Sequence, residues 1–521
     1  MAMKRFLGLA WVLAFASGIA LAQPRVVINE FAYDDTGSDD LEFIELYNAD
    51  VVPVDITGWI VDCGDQLQND NNRDFVIGDD DGDGIPDRQV ILQPGQFYVL
   101  GTPNLNARCG GCVNQIFDPG TAGALENDNE WIALIIPGDP RTVVDAVAYE
   151  VNRSVITNWV PEDIRPQLGG GLWGNYQCLE AGATTDGSFM TIGRWRDGYD
   201  TNVNGRDFGH FRPTPGASNN LPPLTSRLCL SFDNYNVGDT PAEFVGSYRN
   251  PRVIDPTQAD NAATSGFNPN AIPASPGGGK AMMVRDWAGG GNVAVANYVF
   301  ENSTAGYDLF VYINPAAPPN TRVETWMIGL LGGADSVHNH PLIAASANGM
   351  SGVGWVFRRA NNASGHPNES RLYLVDAGAS GASTNWTIYG NIDLSGLSAG
   401  WYRLRLEVIN GQVRGLFYAD PSSPIVITGT TATGLVGGFY IGYRETLGNA
   451  AADINPVRID NLCLYVPVLG DANNDGCVND TDLLQILFNF GGANAEADIN
   501  GDGSVDDTDL LIVLFNFGQG C

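Results

Sequence analysis

Two stretches near the end of the chain repeat one arrangement of oxygen-bearing side chains. The first reads DANNDGCVNDTD from Asp471 and the second DINGDGSVDDTD from Asp498. In each, positions 1, 3, 5 and 12 carry a carboxylate or amide oxygen: Asp471, Asn473, Asp475 and Asp482, then Asp498, Asn500, Asp502 and Asp509. Position 6 is glycine, which admits the sharp turn such a loop needs, and position 7 (Cys477, Ser504) offers its backbone carbonyl. Position 9 (Asn479, Asp506) adds a direct or water-bridged oxygen. A donor set made only of oxygens suits a hard divalent cation, Ca²⁺ above all. Three carboxylates about 5 Å apart repel by roughly 1 kcal/mol per pair in water and by more in a less polar medium. The ion is therefore expected to order the loops, and the two repeats predict two Ca²⁺.

A third acidic run, GDDDGDGIPD, lies far upstream. Asp79, Asp81, Asp83 and Asp87 stand at loop positions 1, 3, 5 and 9, with Gly84 at position 6. It resembles the Asp-rich calcium repeat of thrombospondin type 3 arrays, which implies one more Ca²⁺. Position 12 is Val90, so the full twelve-residue ligand set is not available there.

Groups that could do catalysis are hard to assemble. Glu30, Glu42 and Glu45 lie on two apolar-alternating runs and read as exposed strand carboxylates rather than an acid set. Asp200, Asn204 and Asp207 read as turn caps. His338 and His340 in SVHNHP lack a third metal ligand and read as part of an exposed loop. No Ser-His-Asp arrangement, HExxH motif or Glu-x-Asp-x-x-Glu signature is present. No catalytic residue is assigned.

The elements that must carry these groups are short. Apolar alternation recurs in RVVINEF, LEFIELYN, WIALIIP, DLFVYIN, WYRLRLEV and GGFYIGY, between turns drawn from 64 glycines and 29 prolines. Helical periodicity is absent before about residue 480. The fold expected is mainly β, two sandwiches followed by a small helical tail. Pro- and Asn-rich TPGASNNLPPLTSR and the short YVPVLG serve as linkers, giving domains at 24–220, 227–466 and 468–521. In the tail each loop leads into a short helix. Leu483, Leu484, Leu487 and Phe488 fall on one face, expected to cover the other repeat, and Gly491 and Gly518 follow as stops. Val478 and Val505, at loop position 8, should point into the core between the loops.

The chain opens MAMKRFLGLAWVLAFASGIALAQP, a charged start, an apolar run and a small-residue site at Ala20–Ala22. That is the pattern of a secretory signal peptide over 1–22, which places the mature chain outside the cell or on its surface with no membrane span. A formal net charge of −33 repels polyanions and argues against nucleic acid as a partner. Eight cysteines in an exported chain suggest disulfides, and the three domains hold four, two and two. Cys229 and Cys463 occupy matching places in the first and last apolar strands of the middle domain and are expected to pair. Antiparallel packing of the tail repeats would return Cys521 to Cys477. CGGC (Cys109 to Cys112) reads as a structural bridge, but the pairing among Cys63, Cys109, Cys112 and Cys178 stays open.

Three family resemblances add to this. The Asn-Glu-Phe opening, the Glu-Leu-Tyr-Asn strand, Thr-Gly-Trp and the Pro-Thr-Pro-Gly-Ala-Ser-Asn exit resemble the lamin-tail domain over nearly all of 24–220, implying an immunoglobulin-like sandwich. Residues 227–466, through their overall pattern and the LEVINGQVRGLFY hairpin, resemble a concanavalin-like (laminin-G-like) jelly roll, for which polysaccharide is a possible ligand class. Residues 470–521 resemble a type I dockerin: two EF-hand-type loop–helix repeats with Asp at position 12. That family implies two Ca²⁺ and a cohesin-like partner, with Asp480-Thr481 and Asp507-Thr508 as the recognition pairs. Phe488 and Gly492 depart from it where members often carry basic residues. The function expected is a secreted, calcium-stabilised, non-catalytic adhesion or scaffold protein attached through its tail. The alternative is a carbohydrate-binding accessory protein, or an unrecognised glycoside hydrolase, of an extracellular polysaccharide-degrading system.

Overall fold

The computed structural model describes residues 24–521 except 34–39, 66–72, 118–124, 126–129, 150–159, 169–190, 220, 226, 247–250, 260–267, 285–291, 301–302, 317–322, 333–336, 339–346, 349–351, 362–367, 379–385, 436 and 446–455. Residues 1–22, expected above to be a signal peptide, and Cys178 and His340 therefore lie outside the described residues.

Alternating apolar runs become strands that bury one face each. A six-stranded sheet runs Phe208–Phe211, Thr191–Arg194, Val26–Ala32, Phe43–Asn48, Phe97–Gly101, Gln115–Ile116. It packs on a four-stranded sheet ordered Thr142–Tyr149, Glu130–Ile136, Ile60–Asp65, Arg73–Val76. Ile28, Phe31, Ile44 and Leu46 from the first sheet meet Val61, Ile132, Leu134 and Val147 from the second in one core. Burying each such side chain contributes roughly 1.5–3 kcal/mol.

A second, larger sandwich follows. One sheet has seven strands in the order Phe244–Gly246, Asn292–Val299, Gly437–Glu445, Val323–Leu330, Val353–Ala360, Glu369–Asp376, Thr387–Asp393. The other has eight, its centre formed by Val457–Tyr465, Ala305–Ile313, Gly400–Ile409 and Gln412–Asp420. Trp326, Trp355, Phe357, Phe439, Leu309, Leu404, Leu406 and Leu464 fill the space between them. Asn410 (φ 50°) and Gly411 (φ 79°) close the hairpin between Ile409 and Gln412. Two left-handed residues match the twist of the paired strands, which is why an Asn-Gly pair sits there.

The first strand of this region, Leu228–Leu230, pairs antiparallel with the last, Val457–Tyr465, and places Cys229 opposite Cys463. The two are joined by a disulfide, as are Cys477 and Cys521, and Cys109 and Cys112. Cys63 is buried and has no disulfide partner among the described residues.

The tail holds two helices, Asp480–Asn489 and Asp507–Asn516. Gly491 (φ 77°) and Gly518 (φ 85°) follow them in the left-handed conformation that ends a helix. No helix of the described residues is long and apolar enough to cross a membrane.

Candidate functional site

The tail is built on a reciprocal exchange of backbone bonds. Gly518 N–H donates to the Val478 carbonyl and Val478 N–H to that of Gln519. In the other repeat, Gly491 N–H donates to Val505 and Val505 N–H to Gly492. Each loop is thus tied to the chain leaving the opposite helix. Val478 and Val505 are fully buried, with Ala472, Ile486, Ala497 and Val513.

The packing departs from the expected face. Leu483 and Leu510 lean on this core, but Leu484, Leu487 and Phe488 do not. They point to solvent, as do Leu511, Leu514 and Phe515. The reason is scale: two ten-residue helices around a core of valine, isoleucine and alanine can cover only a narrow stripe of each other.

Each loop organises its acids around backbone N–H groups. In the first, Asp471 Oδ2 accepts from Gly476 N–H at 2.8 Å and its Oδ1 from Asp475 N–H at 3.1 Å. Asn473 Oδ1 accepts from Asp475 N–H, and Asp475 Oδ1 from Cys477 N–H. Asp482 is fully buried and accepts from Asn473 N–H at 3.0 Å and Asn479 N–H at 2.9 Å. In the second, Asp498 accepts from Gly501, Asp502 and Gly503, Asn500 from Asp502, and Asp502 from Ser504. Asp509 accepts from Ile499, Asn500 and Asp506.

Position 12 therefore does two jobs. Asp482 and Asp509 are the third residues of their helices, and with the caps Asn479 and Asp506 they form reciprocal capping boxes. Asn479 and Asp506 spend a side-chain oxygen on the N–H of Thr481 and Thr508. Asp480, Thr481, Asp507 and Thr508 occupy the exposed first turns.

One carboxylate oxygen each from Asp471, Asp475 and Asp482 lies within 4.8 Å of the others. Asp79, Asp81 and Asp87 converge in the same way. Burial raises the Asp471 carboxyl; the Gly476 N–H opposes this, and Asp482 and Asp475 add to it. In the upstream loop, burial of Asp79 is outweighed by N–H donors from Gly84, Gly82, Asp81 and Asp83, which hold its carboxyl low. Asp83 accepts from Ile85 N–H, and Val90 is buried in the sandwich core.

The strand glutamates also depart from expectation. Glu30 faces Glu45 across adjacent strands, and both, with Glu42, are buried rather than exposed. Glu30 and Glu45 are covered by the exit segment, whereas Glu42 accepts from Leu125 N–H. Thr214 donates from N–H and Oγ1 to Glu30, and Gly216 N–H donates to Glu45 at 2.7 Å. Asn29 donates to Glu45 and to Asp197. Burial pushes Glu30 up to about 7 against the Thr191 and Thr214 hydrogen bonds. Burial and then the Glu30 charge push Glu45 up to about 9. Alternation alone could not reveal this, because the covering segment is some 170 residues away in sequence.

Asp200 and Asp207 flank the buried Arg194, Asp207 also accepts from Thr201, and Asn204 donates to the Ala146 carbonyl. That is turn-capping and ion-pair work. His338 lies in a two-residue strand paired with Ala347–Asn348.

Residues 20–150 match the family model of the lamin tail domain. The match stops short of 220, although Thr191–Arg194 and Phe208–Phe211 complete the same sheet. No curated protein sequence matches the chain. Among solved structures, it is similar to a legume lectin-like domain from Entamoeba histolytica, at 11% identity over 36% of this chain and 84% of that one, TM-score 0.23. It is also similar to the CBM2 module of Lactobacillus casei BL23 phage J-1 evolved Dit, at 9% identity over 47% and 98%, TM-score 0.28. A third likeness is to the Emp47p carbohydrate recognition domain, at 9% identity over 47% and 96%, TM-score 0.27.

Proposed function

We propose that this is an exported, calcium-stabilised, non-catalytic modular protein whose C-terminal helical pair attaches it to another protein. The observation that carries this reading is a duplicated apolar face on the tail. Leu484, Leu487, Phe488 and Phe490 are matched residue for residue by Leu511, Leu514, Phe515 and Phe517. Phe488 is 84% exposed and Phe515 80%. Leaving eight large apolar side chains in water on a fold of this size is costly unless a partner covers them. The partner is a protein with an apolar surface of its own, of the cohesin-like kind that a dockerin-like tail implies. Asp480, Thr481, Asp507 and Thr508 lie at the N-terminal edges of this face.

In the same reading the tail loops hold two Ca²⁺. One takes Asp471, Asn473, Asp475, the Cys477 carbonyl, Asn479 and Asp482. The other takes Asp498, Asn500, Asp502, the Ser504 carbonyl, Asp506 and Asp509. Because Asn479 and Asp506 already cap their helices, their share is best supplied through water. Asp79, Asp81, Asp83 and Asp87 offer a third site in the first sandwich. The ion neutralises gathered carboxylates and adds no chemistry of its own. The three modules are 24–220, 227–466 and 468–521.

The test passes purified cohesin modules over the immobilised full chain, in Ca²⁺ and in chelator, beside a chain carrying Phe488→Ser and Phe515→Ser. Calcium-dependent binding that the double variant loses is expected. Binding indifferent to the double variant, or no binding to any cohesin, overturns the attachment. Dimerisation in sedimentation that the double variant abolishes would make the occupant a second copy instead. Binding to a glycan array in place of a protein would favour the carbohydrate-binding accessory reading.

A further inference from the structure

The outer face of the eight-stranded sheet, turned away from its apolar core, carries a belt of charge. Arg403, Arg405 and Glu407 come from Gly400–Ile409, Arg414 and Tyr418 from Gln412–Asp420, and Tyr465 from Val457–Tyr465. On an uncovered sandwich such groups would be solvated. Here Arg405 is 2% exposed and Glu407 6%. Arg405 donates to Glu407 and, at 2.9 Å, to the Tyr465 hydroxyl, while Arg403 donates to Asp308.

The tail lies against this belt through its loop backbones. Arg414 Nη2 donates to the carbonyls of Ala495 and, at 3.0 Å, Asp498, the first residue of the second acidic loop. Arg227 Nη1 donates at 2.9 Å to the carbonyl of Asn474, the fourth residue of the first loop, with its guanidinium 4.9 Å from the Tyr465 ring centroid. Tyr418 donates to Glu496 at 2.8 Å, and Arg403 lies 3.7 Å from the same carboxylate. Gly501, inside the second loop, comes so close to the sheet that a Cβ there would stand 2.9 Å from the Thr428 methyl. All of these contacts use 474 and 495–501 and leave the Leu/Phe face of the helices outward.

We infer that this contact is a cation-gated dock: ion binding at the second loop and seating of the tail on the sheet stabilise each other. The inference rests on the calcium reading given above. Arg414 reaches both carbonyls only while the loop keeps the turn in which Asp498 accepts from Gly501, Asp502 and Gly503 and Asp509 from Ile499 and Asn500. Without the ion those carboxylates repel and the turn loosens. Arg414, part-buried, then loses its acceptors, which is costly for a charged donor. Its own charge is offset by Glu407, 3.8 Å away, so it need not oppose the cation. Linkage makes the effect reciprocal: what seats the tail must also tighten the ion. The dock would present the apolar face at a fixed orientation, rather than on a loose tether.

The test uses the full chain. In Ca²⁺, small-angle scattering should show a compact particle and proteases should spare residues 466–470; chelation should enlarge the particle and open that site. Arg414→Ala in saturating Ca²⁺ should open the site to a similar degree while the helices persist. The calcium affinity of one tail site should fall on the order of 5–50-fold by calorimetry. Glu496→Ala probes the same contact from the tail side, without touching the sheet or a loop, and should shift both readouts the same way by less. Calcium binding with compaction and affinity unchanged in both variants overturns the gate alone. No calcium binding to the native chain overturns the calcium reading and the gate together.

Discussion

Two of the places where carboxylates gather among the described residues are arranged by different means. At the exit of the first sandwich, Glu30 and Glu45 sit opposite each other on adjacent strands, covered by Thr214 and Gly216. In the tail, Asp471, Asp475 and Asp482 turn oxygens toward a common point within 4.8 Å. The first pair is fixed by long-range donors, and burial raises both carboxyls. The second set is fixed by N–H groups of its own loop, which hold the acids in place without removing their mutual repulsion. The two sets thus differ in the reach of the donors that hold them, across the sandwich for the glutamates and within one loop for the aspartates.

The comparison breaks most readily at Asp482. Its two oxygens accept two part-buried N–H groups and cap a helix, so Asp482→Ala strands donors worth up to about 1–3 kcal/mol each. That rivals the whole stability expected of so small a fold. Calcium stoichiometry of the full chain should fall by one, with loss of helical ellipticity from the tail; unchanged stoichiometry would remove Asp482 from the ligand set. At a free Ca²⁺ about 100 times the dissociation constant each intact site should contribute about 2.7 kcal/mol.

Next comes the covalent tie. Cys477 and Cys521 are 44 residues apart, and closing a loop of that size stabilises by about 4 kcal/mol in the chain-entropy model. Cys521→Ser should lower the tail's melting temperature in saturating Ca²⁺ under oxidising conditions. An unchanged melting temperature would show that the ions alone order the tail.

The sandwich pair should answer to pH in the opposite sense from a salt-bridged acid. Folded-state pKa values above the ordinary 4.5 mean that the folded state binds more protons. The stabilisation is complete below about pH 4.5 and is lost as pH rises through about 7 and about 9. Glu45→Gln should flatten that decline, with a gain on the order of 1–3 kcal/mol at pH 9. Denaturant melts of the full chain between pH 5 and 9 measure it; a parallel decline in the variant would show that the pair shares no proton.

The smallest stability effect belongs to the exposed face. Phe488→Ser with Phe515→Ser should change the tail's melting by less than about 0.5 kcal/mol per site. A large loss would mean that the phenylalanines support the fold, and would move them out of the partner surface.

Local spacing made much of this legible. The repeat at Asp471 and Asp498 carries its own turn residues, caps and stops within twelve positions, so loop and helix follow from the sequence alone. The Cys229–Cys463 register followed from two apolar triplets bounding one region. Other features are set by groups distant in the chain. Leu484, Leu487 and Phe488 have the period of a core face, yet the opposite repeat is too narrow to cover them. Glu30 and Glu45 have the alternation of a half-solvated strand, yet the exit segment closes over them.

By itself, then, the sequence determined the mainly β character, the strand periods, the two oxygen-lined loops and the cysteines able to meet, because each depends on residues within a turn or on a simple apolar period. Only the tertiary structure decided which apolar helix faces stay in water, which acids are buried, and that Arg227 and Arg414 grip the loops of the tail. Those outcomes depend on which surfaces meet after the chain has folded back over hundreds of residues. A sequence period reports that a face is apolar or charged; what covers that face is a property of the packed molecule.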